Sequence, residues 1–169
     1  GYALIAADPK VLGSYVFVWD NMIDAYSKWF SIVPSDTAVS EIVDVLTYNW
    51  TGEYPIQRSP SVSSLTVSGY ISEDFQVLAP TTSYEAIVGY ENLSGDSLNF
   101  EWKLFDDSNR ALYDVNTLLR APEVPLTISD STGSTITFTT PEQGSYKLVC
   151  FVYDTHGNAG YANFQFGLE

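Results

Sequence analysis

Short predicted strands separated by turn residues fill the chain from Pro60 to its end, and this spacing constrains the fold more than any other feature. Each segment either alternates apolar with polar residues or is rich in β-branched and aromatic residues, as strands are. The predicted strands are residues 62–67, 75–78, 83–91, 97–105, 125–129, 134–139, 145–154 and 159–168. Seven or eight short strands in sequence predict two packed sheets.

Two aromatic residues stand at characteristic positions of such a sandwich. Trp102 lies on the third main predicted strand, where the core tryptophan is expected. Tyr146 begins the penultimate strand in the manner of a tyrosine corner, whose hydroxyl bonds to the preceding backbone. We therefore predict a mainly β fold: an immunoglobulin-like (PKD- or fibronectin III-like) antiparallel sandwich at residues 60–169, preceded by a short α/β segment at residues 1–59.

The first 59 residues follow a different pattern. Residues 11–19 are apolar on both faces, which predicts a strand covered on both sides. A helix capped by Ser35 or Asp36 and ended by Gly52 follows, with apolar positions that include Val39 at helical spacing. Residues 54–60 then form a linker with two prolines. Because a single doubly buried strand has nothing to pair with, we expect the chain to be a fragment of a longer protein.

The net charge of the chain excludes two kinds of partner, and its cysteine content excludes an internal disulfide. The formal net charge is −14, and so acidic a surface repels phosphate backbones and anionic lipid headgroups. We therefore expect no nucleic-acid and no membrane partner. Cys150 is the only cysteine, so no internal disulfide forms. It lies in an apolar run and is predicted to be an inert core residue.

Residues just beyond the predicted strand 11–19 are the candidates for chemistry. Asp20 and Asp24 follow its carboxyl end, where α/β barrels place their active-site loops, although acidic loop residues are common in this chain. Trp19, Tyr26 and Trp29 surround the same loop. Flat aromatic rings stack on sugar rings, so these five residues are carbohydrate-contact candidates; packing of the aromatic rings is the equal alternative.

The sequence predicts no cofactor and no metal site. His156, the only histidine, lies in a predicted turn without the partners that a zinc site or a nucleophilic triad requires. Aspartates at loop tips can hold Ca²⁺, which remains an open alternative although none has EF-hand spacing. These aspartates are Asp96, Asp106, Asp107, Asp114 and Asp154.

Four stretches resemble the carboxy-terminal part of certain bacterial glycoside hydrolases, in which a TIM barrel precedes an immunoglobulin-like or PKD-like sandwich. The stretches are DPKVLGSYVFVW at 8–19, YNWTGEYP with RSP at 48–60, GDSLNFEW at 95–102, and PEQGSYKLVCFVYD leading into GNAGYANFQF at 141–166. The resemblance implies that residues 13–19 are the last barrel strand and residues 36–50 its closing helix. It also implies that Trp19 faces substrate, although the following residues, DNMID, depart from the polar run expected there.

The catalytic carboxylates of that family belong to earlier barrel strands, so no catalytic residue is assigned to this chain. We expect a non-catalytic accessory module of a secreted carbohydrate-active protein, located outside the cell or at its surface. Its partners would be a polysaccharide, a catalytic domain or a neighbouring chain. The alternative is an extracellular adhesion or assembly subunit, in which residues 1–33 pair with a neighbouring chain by strand addition. A small complete enzyme using Asp20 and Asp24 is the least favoured interpretation.

Overall fold

The computed structural model describes Ala7 and residues 38–71, 75–108 and 121–169. Within these ranges, helix α1 spans Glu41–Thr51 and ten strands follow it. The strands are β1 (Ser61–Val67), β2 (Tyr70–Ile71), β3 (Gln76–Leu78), β4 (Ser83–Glu91), β5 (Asn99–Asp106), β6 (Glu123–Val124), β7 (Thr127–Ser131), β8 (Thr135–Thr139), β9 (Gly144–Tyr153) and β10 (Ala159–Leu168).

The strands form two five-stranded sheets packed face to face. The first sheet has the order β2-β1-β4-β8-β7 and the second has the order β3-β10-β9-β5-β6. This arrangement is a mainly β, immunoglobulin-like sandwich, which confirms the predicted fold class. One pairing departs from the expected antiparallel pattern, because β3 runs parallel to β10 with Gln76 opposite Phe166.

Side chains from both sheets meet in one apolar core. Phe138 of the first sheet lies 6.2 Å, centroid to centroid, from Phe166 of the second, and both side chains are fully buried. Burial of a phenylalanine side chain contributes about 1.5–3 kcal/mol, so the aromatic contacts between the sheets are a major source of stability. The other large, fully buried residues are Phe164, Leu65, Leu104, Ile136, Leu148, Val67, Val149, Val152, Pro60 and Cys150.

Strand β9 is buried on both of its faces. Leu148 and Val152 point into the core, as alternation predicts, but Val149 and Phe151 on the opposite face are also buried. Lys147, on that same outer face, is 4% exposed. The second sheet is therefore covered on its outer side along β9, whereas the outer face of the first sheet carries the 42% exposed Ile87.

Strand positions agree closely with the sequence prediction. The predicted strands 83–91 and 159–168 have the observed bounds, and the other predicted strands differ from the observed ones by one or two residues at either end. The two-residue strands β2 and β6 were not predicted, because segments so short have no detectable period. Strand β7 begins at Thr127 rather than at Pro125, which lacks the N–H that a ladder hydrogen bond needs.

The helix begins later than the sequence predicts. Ser40 is its N-cap residue and has extended dihedral angles, so Val39 precedes the helix instead of lying within it. The reason is tertiary, since the Val39 carbonyl oxygen accepts a 2.8 Å hydrogen bond from the backbone N–H of Ala159 in β10. Gly52 ends the helix in the left-handed conformation at φ 82°, which confirms the predicted end.

Candidate functional site

Helix α1 is fixed to one end of the sandwich by a buried carboxylate. Asp44 is 3% exposed, and its Oδ2 atom accepts a 2.7 Å hydrogen bond from the backbone N–H of Ser59. The Arg58 Nε atom lies 3.5 Å from the same oxygen. Burial raises the pKa of the Asp44 carboxyl above its ordinary value, and the Ser59 and Arg58 contacts oppose this shift only in part. We call Asp44, Arg58 and Ser59 the junction.

Further hydrogen bonds connect the junction to the strands and loops around it. Ser59 is fully buried, and its hydroxyl donates to the Val39 carbonyl oxygen over 3.2 Å. The backbone N–H of Arg58 donates to Ser94 Oγ over 2.7 Å, and that hydroxyl donates back to the Arg58 carbonyl oxygen over 3.0 Å. The segment predicted as a linker is therefore held against the loop between β4 and β5.

Two tyrosines extend the junction toward the surface. The rings of Tyr48 and Tyr54 are stacked, with centroids 4.5 Å apart and an interplanar angle of 18°. The Arg58 guanidinium carbon lies 3.9 Å from the centroid of Tyr54, within the range of a cation–π interaction. These contacts order the end of the helix and the residues that follow Gly52.

The β9–β10 hairpin lies at the same end of the sandwich. The Asp154 carboxylate accepts hydrogen bonds of 2.8 Å from the backbone N–H groups of His156 and Asn158, which fixes the turn. His156 Nε2 lies 3.8 Å from Asp96 Oδ2, so the hairpin contacts the β4–β5 loop that also binds Arg58. The single histidine thus lies in a turn, where its ring contacts one carboxylate.

The structure does not describe the predicted carbohydrate-contact residues. Trp19, Asp20, Asp24, Tyr26 and Trp29 all lie outside the described ranges, as does the predicted strand 11–19.

The structural residues proposed from the sequence are described. Trp102 is half-buried against the core, and its indole Nε1–H donates to the Gly133 carbonyl oxygen over 2.9 Å. The Tyr146 hydroxyl donates to the Gln143 carbonyl oxygen over 2.8 Å, the geometry of a tyrosine corner. Cys150 is fully buried, and burial raises the pKa of its thiol to about 12.

The loop aspartates do not converge on a metal-binding arrangement in the described residues. No three His, Cys, Asp or Glu side chains form a group that can hold a metal ion in the part of the chain that the structure describes. Asp114 lies outside the described ranges. Among the described helices, none is long and apolar enough to cross a bilayer.

Sequence reasoning missed the junction altogether. Asp44 falls within the predicted helix, where a single acidic residue is ordinarily on the solvent side. The one available signal is Arg58-Ser59-Pro60 at the start of the sandwich, because a buried backbone N–H next to a proline requires an acceptor.

The fold and the junction define a class: an immunoglobulin-like sandwich with a helix fixed to one end. No protein-family model matches the chain, and no curated protein matches it. Similar solved structures include a nucleoside hydrolase-related hypothetical protein from Saccharophagus degradans that is associated with carbohydrate metabolism, at 14% identity and a TM-score of 0.47. That match covers 76% of this chain and only 31% of the other, so the chain spans about a third of its length.

Two smaller proteins show a similar sandwich. The Lin-41 filamin domain is 14% identical, with 66% of this chain and 97% of that domain covered and a TM-score of 0.36. CopC from Methylosinus trichosporium OB3b is 12% identical, with 65% of this chain and 93% of that protein covered and a TM-score of 0.38. Similarity at this level does not extend to function.

Proposed function

We propose that this chain is a non-catalytic accessory module of a secreted carbohydrate-active protein, and that it holds a neighbouring catalytic domain in a fixed orientation. It would act outside the cell or at the cell surface. The observation that carries the proposal is the junction, in which the buried Asp44 binds the Ser59 backbone at the entrance to the sandwich.

A rigid entrance suits a module whose role is orientation. Flexible connections between domains are rich in glycine and serine and leave their backbone solvated. Here the entrance has Pro55 and Pro60, Ser59 is fully buried, and Arg58 hydrogen bonds to the β4–β5 loop through its backbone. The start of the sandwich and helix α1 are consequently held together by contacts of buried and half-buried groups.

Two of the buried titratable groups, Asp44 and Cys150, support a structural role. The Asp44 carboxylate is occupied by Ser59 and Arg58, and the high thiol pKa of Cys150 leaves little of the nucleophilic thiolate. An active site instead presents its perturbed groups to a cleft where substrate binds. We therefore propose that the chain has no hydrolytic activity of its own.

Contact with polysaccharide is proposed for the loop that follows residues 11–19. The support is the sequence: Trp19, Tyr26 and Trp29 offer flat rings for sugar stacking, and Asp20 and Asp24 offer hydrogen-bond acceptors. The aromatic residues would supply most of the affinity, because stacking buries apolar surface on both partners.

Binding and hydrolysis assays on the full chain test both parts of the proposal. The chain should be retained on insoluble glucan, xylan or chitin without releasing reducing sugar. Trp19→Ala and Trp29→Ala should weaken retention at least about tenfold if stacking drives it. Tyr70→Ala is the matched control, because Tyr70 is an exposed aromatic residue on the edge strand β2 and should not contribute. Turnover of any of the three polysaccharides would contradict the non-catalytic assignment.

A second candidate function is assembly with neighbouring chains, and the edge strand β7 favours it. All five of its residues are exposed, and it pairs with β8 on one side only among the described strands. An exposed edge can accept a strand from another chain. Ordered multimers that show no affinity for polysaccharide, observed by size-exclusion chromatography with light scattering, would favour this function over the accessory role.

A further inference from the structure

Helix α1 is oriented with its polar side toward the sandwich, the reverse of an ordinary surface helix. Asp44 is almost fully buried, whereas Ile42 is 50% exposed. Successive helical residues are rotated by about 100°, so Ile42 and Leu46, each two residues from Asp44, lie on nearly the opposite side of the helix. The apolar side of the helix therefore points away from the two sheets.

This side of the helix carries a depression and, next to it, a protruding aromatic ring. We call it the outward face of α1, and it consists of Ile42, Val45, Leu46, Asn49 and Trp50. The first four of these residues, with Glu41 at the rim, line an open depression of about 400 Å³. Trp50 follows them toward the end of the helix and is 63% exposed. One face thus has both a hollow and a large apolar side chain that can fill a hollow.

We propose that the outward face of α1 is the contact surface of a homodimer, in which two antiparallel copies of the helix meet about a two-fold axis. In such a pair the same patch serves both copies, so a protruding residue and the hollow that receives it must lie on one face. Trp50 is five residues from Val45, or about 7.5 Å along the helix. Antiparallel helices that meet midway between these two residues place each Trp50 over the depression of the other copy.

The distribution of charge favours a second copy as the occupant. Each chain has a net charge of −14, so two copies repel each other wherever their charged surfaces approach. The outward face avoids this repulsion, because none of its five residues is charged and Glu41 lies only at the rim of the depression. A basic partner would instead be matched by acidic residues within the contact surface. The acidic residue in the middle of the helix, Asp44, is on the buried side.

The size of the outward face predicts a weak dimer. A helix of 11 residues is about 16 Å long and about 10–12 Å across, so each copy buries less than the roughly 800 Å² of a standard interface. We therefore expect monomer and dimer to exchange, with a dissociation constant on the order of 10–100 μM. The inference is independent of the proposed function, because it involves neither the candidate residues at 19–29 nor the edge strand β7.

Sedimentation equilibrium of the full chain tests for the dimer. Between about 5 and 500 μM, the average mass should rise from that of the monomer toward twice that value and no further. Raising NaCl from about 0.05 M to about 0.5 M should strengthen the association, since salt screens the repulsion between two acidic copies. A monomer at every concentration in both salts would overturn the proposal and leave the face to a partner of another kind. Species larger than a dimer, or a dimer that added salt dissociates, would overturn it as well.

Substitutions on the helix locate the contact. Ile42→Asp places a charge on the outward face of each copy and should leave only monomer. Ile87→Asp is the matched control and should not affect the dimer, since Ile87 lies on the outer face of the first sheet and is 42% exposed. Trp50→Ala should raise the dissociation constant at least about tenfold, whereas Tyr70→Ala on the edge strand β2 should not change it.

The fold should tolerate both helix substitutions, because Ile42 and Trp50 are each at least half exposed. Urea unfolding of the two variants at low protein concentration checks this and should give the midpoint of the native monomer. A dimer that persists unchanged in both Ile42→Asp and Trp50→Ala would refute the proposal, since the contact would then lie on another surface.

Discussion

The Asp44 carboxylate binds the backbone N–H of Ser59, fifteen residues further along the chain, over 2.7 Å. This contact joins the helix to the first residues of the sandwich and determines which side of the helix faces inward. It satisfies a backbone donor that is buried next to Pro60. The hydrogen bond between Asp44 and Ser59, rather than the apolar residues of the helix, therefore determines how the helix is oriented.

Loss of the Asp44 carboxylate should destabilise the chain. Asp44→Ala leaves the buried Ser59 N–H without its acceptor and Arg58 without its ion pair, and we expect the free energy of unfolding to fall by about 1–3 kcal/mol. Urea unfolding followed by tryptophan fluorescence measures the change. Glu53→Ala, an exposed acidic residue just after the same helix, should change stability by less than about 0.5 kcal/mol. Equal effects of the two variants would contradict the role of the junction.

The raised pKa of Asp44 predicts a specific pH dependence. Because the folded-state pKa lies above 3.8, the ordinary pKa of an aspartate side chain, the folded state binds the Asp44 proton more tightly than the unfolded state does. The Asp44 carboxyl therefore increases the free energy of unfolding at low pH. This contribution is lost as the pH rises from the pKa of the unfolded state through the pKa of the folded state.

Asp44→Asn removes this titration and keeps an oxygen acceptor for the Ser59 N–H. The unfolding free energy of the native chain minus that of Asp44→Asn should decrease as the pH rises from below 3.8 toward neutrality. Denaturant unfolding of both chains across this window measures the difference. A difference that increases with pH would show that the folded-state pKa is lowered instead.

Close packing between β10 and the start of β1 makes Gly160 intolerant of substitution. A Cβ atom at Gly160 would lie 2.5 Å from the Pro60 carbonyl oxygen and 2.5 Å from Val62 Cγ2. We expect Gly160→Ala to lower the free energy of unfolding by about 1–3 kcal/mol, since backbone atoms must move. Gly89→Ala is the matched control: its Cβ would meet the Ser64 hydroxyl, a side-chain atom that can rotate away. A smaller loss in Gly160→Ala than in Gly89→Ala would contradict this packing.

Cys150 should be unreactive in the folded chain. Its thiol is fully buried, and a pKa of about 12 leaves almost no thiolate. At about pH 8, a disulfide reagent that reports on free thiols should give no signal with the native chain and one equivalent in concentrated urea. Rapid stoichiometric reaction without denaturant would show that β9 opens locally or that the thiol is accessible.

The positions of the strands could be predicted because they depend on local patterns. Within residues 83–91 and 159–168, apolar residues alternate with polar ones or occur in short runs. Turn residues flank each segment on both sides. The parallel pairing of β3 with β10 could not be predicted in this way, because it joins residues about ninety positions apart.

The candidate site was harder to predict from the sequence than the strands were. The apolar residues of α1 occupy helical positions, but the sequence does not say which side of the helix meets the sandwich. That choice follows from the buried N–H of Ser59, which becomes a constraint only when the sheets are assembled. The double burial of β9 had a local signal in the unbroken apolar run from Leu148 to Val152, which no alternating strand would show.

The pairing of β3 alongside β10 affects how the module transmits mechanical load. β10 has β9 on one side and β3 on the other, and β9 pairs with it along its full length. Tension directed along β10 would shear both ladders at once, so many hydrogen bonds would share the force instead of breaking one after another. Pulling on β10 would therefore load two ladders of the second sheet together.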